Sequence, residues 1–386
     1  MIKQINIIGL FDRYDYHISL HSSKDDTVTF ITGCNGMGKS TILRMINTLY
    51  QMDWKQFVQY PFKEFQLVYE TCTMTFQREY APLNPDNRTE DLNVRKKYDY
   101  KLGVQYSQNG ELLHYVIGRW DDNYYNTPNE ISMALMLDKP HFIDDQRLAF
   151  SYDKYGNLTN PYRLEDCCND CKLRLEELRI FANDKLSPFY TSPYDYDESP
   201  LCNEQLITMY NRLIRWGIIN ARPIIENESS DENLSKVIRV MKLLYREMQS
   251  SNRNLNTYCN LSELELLIKS YDFDHKVMEL HVNTGFRFKS TEGMLLTYDQ
   301  MSSGEQQILL QSYELLIIAS RDSLVLIDEP ETSQHVAWQM DYCKNLQNIA
   351  QKRNLQCIVA THLPLMFDNQ FDLSVDLYAL ANPEEA

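Results

Sequence analysis

No apolar run in this sequence approaches the roughly 20 residues that a membrane-spanning helix needs. Leu315–Ala319 and Leu324–Ile327 are the length of buried core segments. A secretory leader is not expected either, because Met1–Leu10 alternates like a strand and charge follows at once. Positive charge is scarce: 38 Lys and Arg against 54 Asp and Glu leave a net charge of −16, so no global field draws the chain to nucleic acid. DNA contact would require a local patch. Internal repeats, low-complexity tracts and sustained heptads are missing, which excludes a coiled-coil rod. At 43% hydrophobic and 24% charged residues, the chain is also neither collagen-like nor wholesale disordered.

A second CxxC is missing as well. The nine cysteines are an odd number, scattered and without a secretory signal, so the chain reads as reduced and cytoplasmic. Cys168-Asn-Asp-Cys171, next to Cys167, has no second pair of Cys or His at zinc spacing. Two chains together would supply four thiolates; free cysteines near a helix start are the simpler reading.

A length of 386 residues allows two or three domains, or one large domain with an insertion. Residues 1–155 read as a strand-rich lobe. Ile5–Leu10 and Phe65–Phe76 alternate, Val28–Ile31 is a buried-strand run, Asn109-Gly110 marks a hairpin, and Lys39–Tyr50 has helical periodicity. Residues 156–280 read as a mostly helical insertion, with helices expected over Leu173–Phe181, Gln205–Ile219, Leu234–Met248 and Leu261–Tyr271. The Ser187–Pro200 and Glu226–Glu232 stretches read as loops; the first, aromatic and acidic, is either a solvated loop or a docking surface. Residues 281–386 return to strand–helix–strand alternation. The expected class is α/β: a mixed β-sheet with a P-loop core, split by a helical insertion.

Four segments carry chemistry. Gly33-Cys34-Asn35-Gly36-Met37-Gly38-Lys39-Ser40-Thr41 fits GxxxxGK[ST] between a strand and a helix, the context that the motif demands. Its glycines let backbone N–H groups wrap phosphates at a helix N-terminus. Lys39 is expected to neutralise phosphate oxygens and Ser40 to hold Mg²⁺. Leu324–Ile327, followed by Asp328-Glu329-Pro330, is a strand apolar enough to be buried on both faces, with two carboxylates at its ligand-facing end. Asp328 then serves the metal and Glu329 the attacking water as general base. Cys357–Ala360 is the next strand, ending in Thr361-His362, where His362 can sense phosphate or position water. Met301-Ser302-Ser303-Gly304-Glu305 precedes an apolar helix; Ser302 and Glu305 fit a capping box, and the same N–H groups would serve a second phosphate site.

In that order these motifs resemble the head of an ABC-type ATPase. The resemblance covers residues 1–50 and 290–375 well and the middle weakly. It implies a dimer in which Ser302 and Gly304 touch ATP held by the other subunit. It also implies a Mg²⁺-sensing glutamine, placed at Gln146, and a dimer-communication role for His335. Gln334 and Met301 stand where leucine is usual. The 262 residues between Ser40 and Ser302 (302 − 40) exceed transporter spacing and fit SMC-like and OLD-like ATPases. Without a coiled coil, the chain is most similar to the compact heads of PARIS and Septu anti-phage systems, PARIS first. The phrases are Ile8-Gly-Leu-Phe11 with Tyr14-Asp-Tyr16, Ser302–Gln307, and Asp328–Trp338.

The resemblance implies an ATPase (ATP and water to ADP and phosphate) with ATP and Mg²⁺ as cofactors. It would act as a homodimer or higher even oligomer and hold or release a separately encoded effector. A nuclease is the expected effector, since the chain ends soon after His362 and shows no nuclease motif, and a phage-encoded protein is the expected trigger. The rival reading is an SMC-like DNA-repair or DNA-bridging ATPase, drawing on Arg95-Lys96-Lys97, Lys172 with Arg174 and Arg179, and Arg212 with Arg215.

Overall fold

The computed structural model describes residues 1–23, 26–81, 99–108, 111–119, 127, 129–137, 140–144, 164–187, 199–220, 230–368 and 370–383. It separates into two compact units, residues 1–145 with 319–386, and residues 146–318.

The first unit holds two sheets. The antiparallel one is built from β1 (Ile2–Leu10), β2 (Tyr14–Ser19), β4 (Glu64–Tyr69), β5 (Cys72–Ala81), β6 (Asp99–Gln108) and β7 (Glu111–Arg119), in the order β2-β1-β4-β5-β6-β7. The parallel one is built from β3 (Val28–Thr32), β8 (His141–Ile143), β12 (Leu324–Asp328), β13 (Gln356–Ala360) and β14 (Ser374–Asp376), in the order β14-β3-β13-β12-β8. Helix α1 (Lys39–Tyr50) shares one core with both, its Ile42, Leu43 and Ile46 clustering with Ile5 and Phe65 of the first sheet and Leu326 and Ile358 of the second. Strand β12 is buried along its whole length between two parallel neighbours, which is why its sequence is an unbroken apolar run.

The alternation over Phe65–Phe76 belongs to two strands rather than one. Its phase breaks at Glu70-Thr71: Phe65 and Leu67 point inward before the turn, Met74 and Phe76 after it, and they meet as the cross-strand pairs Phe65–Phe76 and Leu67–Met74. Strands β6 and β7 pair as a hairpin would require, Gln108 opposite Glu111. Asn109-Gly110 itself lies outside the described residues, as do most of Ser187–Pro200 and of Glu226–Glu232.

One buried amide bridges the two sheets beside their shared core. Gln356, 2% exposed, accepts from Ile2 N at 2.8 Å and donates to Ile2 O at 2.6 Å and His21 O at 3.2 Å. Gln356→Leu would strand these buried backbone groups, so it should destabilise the unit by about 2–4 kcal/mol. The check is a lowered urea midpoint at unchanged slope.

The second unit contains the helices Leu164–Leu186, Asn203–Arg215, Ser230–Ser250, Asn252–Ser270 and Ser303–Tyr313, with a three-stranded sheet of β9 (Lys276–His281), β10 (Gly285–Ser290) and β11 (Leu295–Leu296). The first helix begins nine residues before the expected Leu173. Its opening turns bury Cys167, Cys168 and Cys171 instead of branched aliphatics, and periodicity does not count cysteine strongly. All three are free thiols; Cys168 Sγ faces Thr284 O and Phe286 O, and burial pushes the Cys171 thiol well above its ordinary range.

Candidate active site

Strands β3, β12 and β13 are adjacent and parallel, so their carboxyl ends open on the same edge of the sheet. A cleft of about 540 Å³ lies there, lined by Phe11, Asn35, Gly36, Gly38, Lys39, Ser40, Thr41, Glu329 and His362. Four sequence segments, 351 residues apart at their extremes (362 − 11), thus converge, three of them the motifs singled out in the sequence.

The loop after β3 needs its glycines. Gly38 has φ +95°, and a Cβ there would meet Leu10 Cδ2 at 2.8 Å and the Phe11 ring at 3.1 Å. Gly36 has φ +83° with open space around it, so backbone conformation alone selects glycine. Gly33 hands the chain from β3 into this loop, also at positive φ. From the antiparallel sheet, the Tyr16 hydroxyl donates to Met37 O at 3.0 Å and braces the loop. Helix α1 starts at Lys39 without a side-chain cap, leaving first-turn N–H donors for an anion.

Lys39 is 4% exposed. Its ammonium donates to Gly33 O at 2.8 Å and Cys34 O at 3.2 Å, and lies 3.0 Å from His362 Nδ1. Burial holds its pKa below the ordinary lysine range, with Glu329 the largest opposing charge. Ser40 Oγ donates to Asp328 Oδ1 at 2.8 Å. Asp328 is fully buried, and burial raises its carboxyl above the usual range, against the Ser40 hydrogen bond and the Arg44 charge. Arg44, one turn along α1, lies 3.4 Å from Asp328 Oδ2 and 3.6 Å from Asp144 Oδ1.

Glu329 carries a left-handed backbone, φ +43°, costly for a residue with a side chain, about 1–3 kcal/mol. Its N–H is held by Ala360 O at 2.9 Å, and Oε1 lies 3.0 Å from His362 Nε2. The imidazole therefore bridges base and lysine. If the Lys39 ammonium donates to Nδ1, the proton sits on Nε2 and points at Glu329.

The structure places Lys39, Ser40, Thr41, Gly33, Asn35, Gly36, Gly38, Asp328, Glu329 and His362 in or around this cleft. Ser302 and Gly304 belong to the second unit and do not line it. There Ser302 caps the helix Ser303–Tyr313: Glu305 N donates to Ser302 Oγ at 3.3 Å, and Ser302 N to Glu305 Oε2 at 2.7 Å. The buried Glu305 also pairs with Lys276 at 2.8 Å, so the capping box is anchored. His335 caps the helix Val336–Arg353 through Ala337 N, while Gln334 beside it is buried. Gln146 lies outside the described residues.

Sequence reading gave no role to Phe11, Arg44 or Glu331. Phe11 had a signal, since Gly9-Leu10-Phe11 ends one strand of a tight hairpin; its φ of +56° turns the ring into the cleft. Arg44 had only its one-turn spacing from Ser40. Glu331 accepts from Thr361 Oγ1 and His362 N, each at 2.7 Å, which no local pattern announces.

Residues 1–366 match the family AAA_15, described as an AAA ATPase domain. No curated protein matches the chain at a significant level. Among solved structures it is similar to the SMC head bound to the C-winged helix domain of ScpA, with 14% identity, 95% of this chain and 91% of that chain covered, and a TM-score of 0.39. It is also similar to the SMC head domain from Thermotoga maritima, with 12% identity, 97% and 92% covered, and a TM-score of 0.36.

Proposed function

The chain belongs to the AAA_15 family of AAA ATPase domains, hence is an ATP-hydrolysing enzyme, and from that premise we propose that it is the ATP-driven sensor and scaffold of an anti-phage defence complex. In this reading it forms a homodimer or higher even oligomer in the cytoplasm and holds or releases a separate effector, a nuclease by class, on a phage-encoded trigger. The observation that carries the enzymatic half is the cleft itself, where Lys39, the Ser40–Asp328 pair, Glu329 and His362 converge. The defence half rests on the order and wording of the motifs.

Each side chain has a task. The loop Gly33–Gly38 and the first turn of α1 offer N–H groups to the phosphates, and Lys39 adds the charge. Phe11 offers a flat apolar wall. Ser40 and Asp328 present hard oxygen donors side by side, the set that suits Mg²⁺. The ion, when bound, neutralises charge on the phosphates. Glu329 accepts the proton of the attacking water, and His362 orients the Glu329 carboxylate through Nε2.

The DNA-clamp reading finds little support among the described residues. Arg212 and Arg215 both pair with Glu265, Arg174 with Asp170, and Arg179 with Glu176. Arg95-Lys96-Lys97 lies outside the described residues. No described helix is long and apolar enough to cross a membrane.

The test has two arms. The purified chain with Mg²⁺ and ATP should release phosphate at a rate that duplex DNA leaves unchanged at low salt. A host carrying the chain with its neighbouring genes should plate phage less efficiently than one lacking it. Equal plating would remove the defence role, and DNA-stimulated turnover would move the protein to the clamp.

A further inference from the structure

Two carboxylates follow strand β12, Glu329 and Glu331, and their surroundings differ. Glu329 lines the cleft; Glu331 does not. Glu331 Oε1 receives two hydrogen bonds of 2.7 Å, from the Thr361 hydroxyl and from His362 N. Its Oε2 is enclosed, without a hydrogen-bond partner among the described residues. A carboxylate so occupied is poorly placed to take a proton from water. It is well placed to hold a turn.

That turn is the one carrying the imidazole. Thr361 is fully buried, its N–H bonded to Ile31 O at 3.1 Å, and its hydroxyl oxygen accepts from Leu363 N at 3.1 Å. The Thr361 hydroxyl thus links Leu363 to Glu331, and the His362 backbone joins the same oxygen. Glu331 is itself held. Gln334 N donates to Glu331 O at 3.0 Å, Thr332 N to Glu329 O at 3.2 Å, and the buried Gln339 amide to Gln334 O at 3.1 Å. The loop after Glu329 is therefore folded on itself and pinned from the helix Val336–Arg353, and its Glu331 carboxylate takes hold of the strand end beside it.

We infer that Glu331 is the positioning residue for His362: it fixes the backbone from which the imidazole reaches both Glu329 and Lys39, and so couples the turn Pro330–His335 to the hydrolytic site. The inference rests on the ATPase reading of the cleft. It follows that a movement of the turn beyond Glu329 reaches the Thr361-His362 backbone through Glu331 Oε1, beside the direct contact of Glu329 with the imidazole, while the phosphate-binding loop around Lys39 keeps its own supports.

The experiment compares the full chain with E331A, E331Q and T361V, measuring kcat and KM for ATP with Mg²⁺, and Kd for ADP. E331A should lose about 10–100-fold in kcat, since small displacements of a positioned group have effects of that order. The Kd for ADP should stay within about threefold, because no phosphate contact is removed. E331Q keeps a carbonyl oxygen for both donors and should recover most of the rate. T361V, which deletes one of the two donors, should fall between, and it carries the test should E331A fail to fold. Wild-type rates in both E331A and T361V would overturn the assignment. So would E331Q turning over as slowly as E331A, which would make the charge, and not the hydrogen bonds, the working feature. A wild-type chain that neither binds nor hydrolyses ATP would instead overturn the reading of the cleft.

Discussion

Lys39→Ala should raise the Kd for ATP by more than about 100-fold, equivalent to about 3 kcal/mol lost with one buried charge-assisted phosphate contact. The magnitude follows from the environment. Lys39 is almost wholly enclosed and already aimed across the loop at Gly33 O and Cys34 O, so little ordering remains to be done on binding. Equilibrium dialysis or calorimetry reads the loss, and an unchanged circular dichroism spectrum shows that the fold survives. If the proposed defence role holds, phage plating should rise to the level of a strain without the chain. Wild-type affinity in the variant would sink the assignment of this lysine, and full protection would sink the proposed dependence of defence on ATP binding.

The same residue gives a pH dependence with a definite sign. Burial lowers the Lys39 pKa, so the ammonium is lost at a lower pH than in an ordinary lysine. A polyanion binds the charged form, so affinity should weaken as pH rises through that lowered value, with proton uptake on binding there. Lys39→Ala should abolish the trend.

Glu329→Gln should lower turnover by about 10²–10⁴-fold, the usual worth of a positioned general base, and leave ATP binding intact. The substitution is isosteric, and an amide oxygen still accepts from His362 Nε2, so the left-handed turn and the bridge to Lys39 have no reason to move. What is lost is a group able to take the proton from water. Single-turnover phosphate release measures the loss, and retention of labelled ATP on a filter measures binding. Turnover within about fivefold of wild type would place the base elsewhere.

Much of this was legible beforehand, for a physical reason. The strands β3, β12 and β13 are buried in a parallel sheet and are mostly apolar, β12 without a break before Asp328, so the polar residues that follow them mark its ligand edge. That is why Gly33–Thr41, Asp328-Glu329 and Thr361-His362 could be picked out one by one. Of the helices read from recurring aliphatics, the one expected from Leu173 was cut short where cysteines do the same packing, over Leu164–Lys172, and Asn129–Leu137 was not read. The alternation read over Phe65–Phe76 covers two strands, because a change of phase looks locally like a tolerated irregularity.

By itself the sequence determined the class of chemistry. Glycines at left-handed positions, a lysine at a helix start and carboxylates at a strand end are local requirements, and local requirements are written in consecutive residues. Only the tertiary structure gave Glu331 its partners. Glu329 and Glu331 are two residues apart and chemically alike, yet one turns into the cleft through a strained backbone and the other grips Thr361 and His362, some 30 residues on. It also decided that Gln356, at the far end of the chain from Ile2, joins the two sheets. Partners distant along the chain leave no pattern in its neighbours, because a hydrogen bond constrains the two groups that meet and nothing between them.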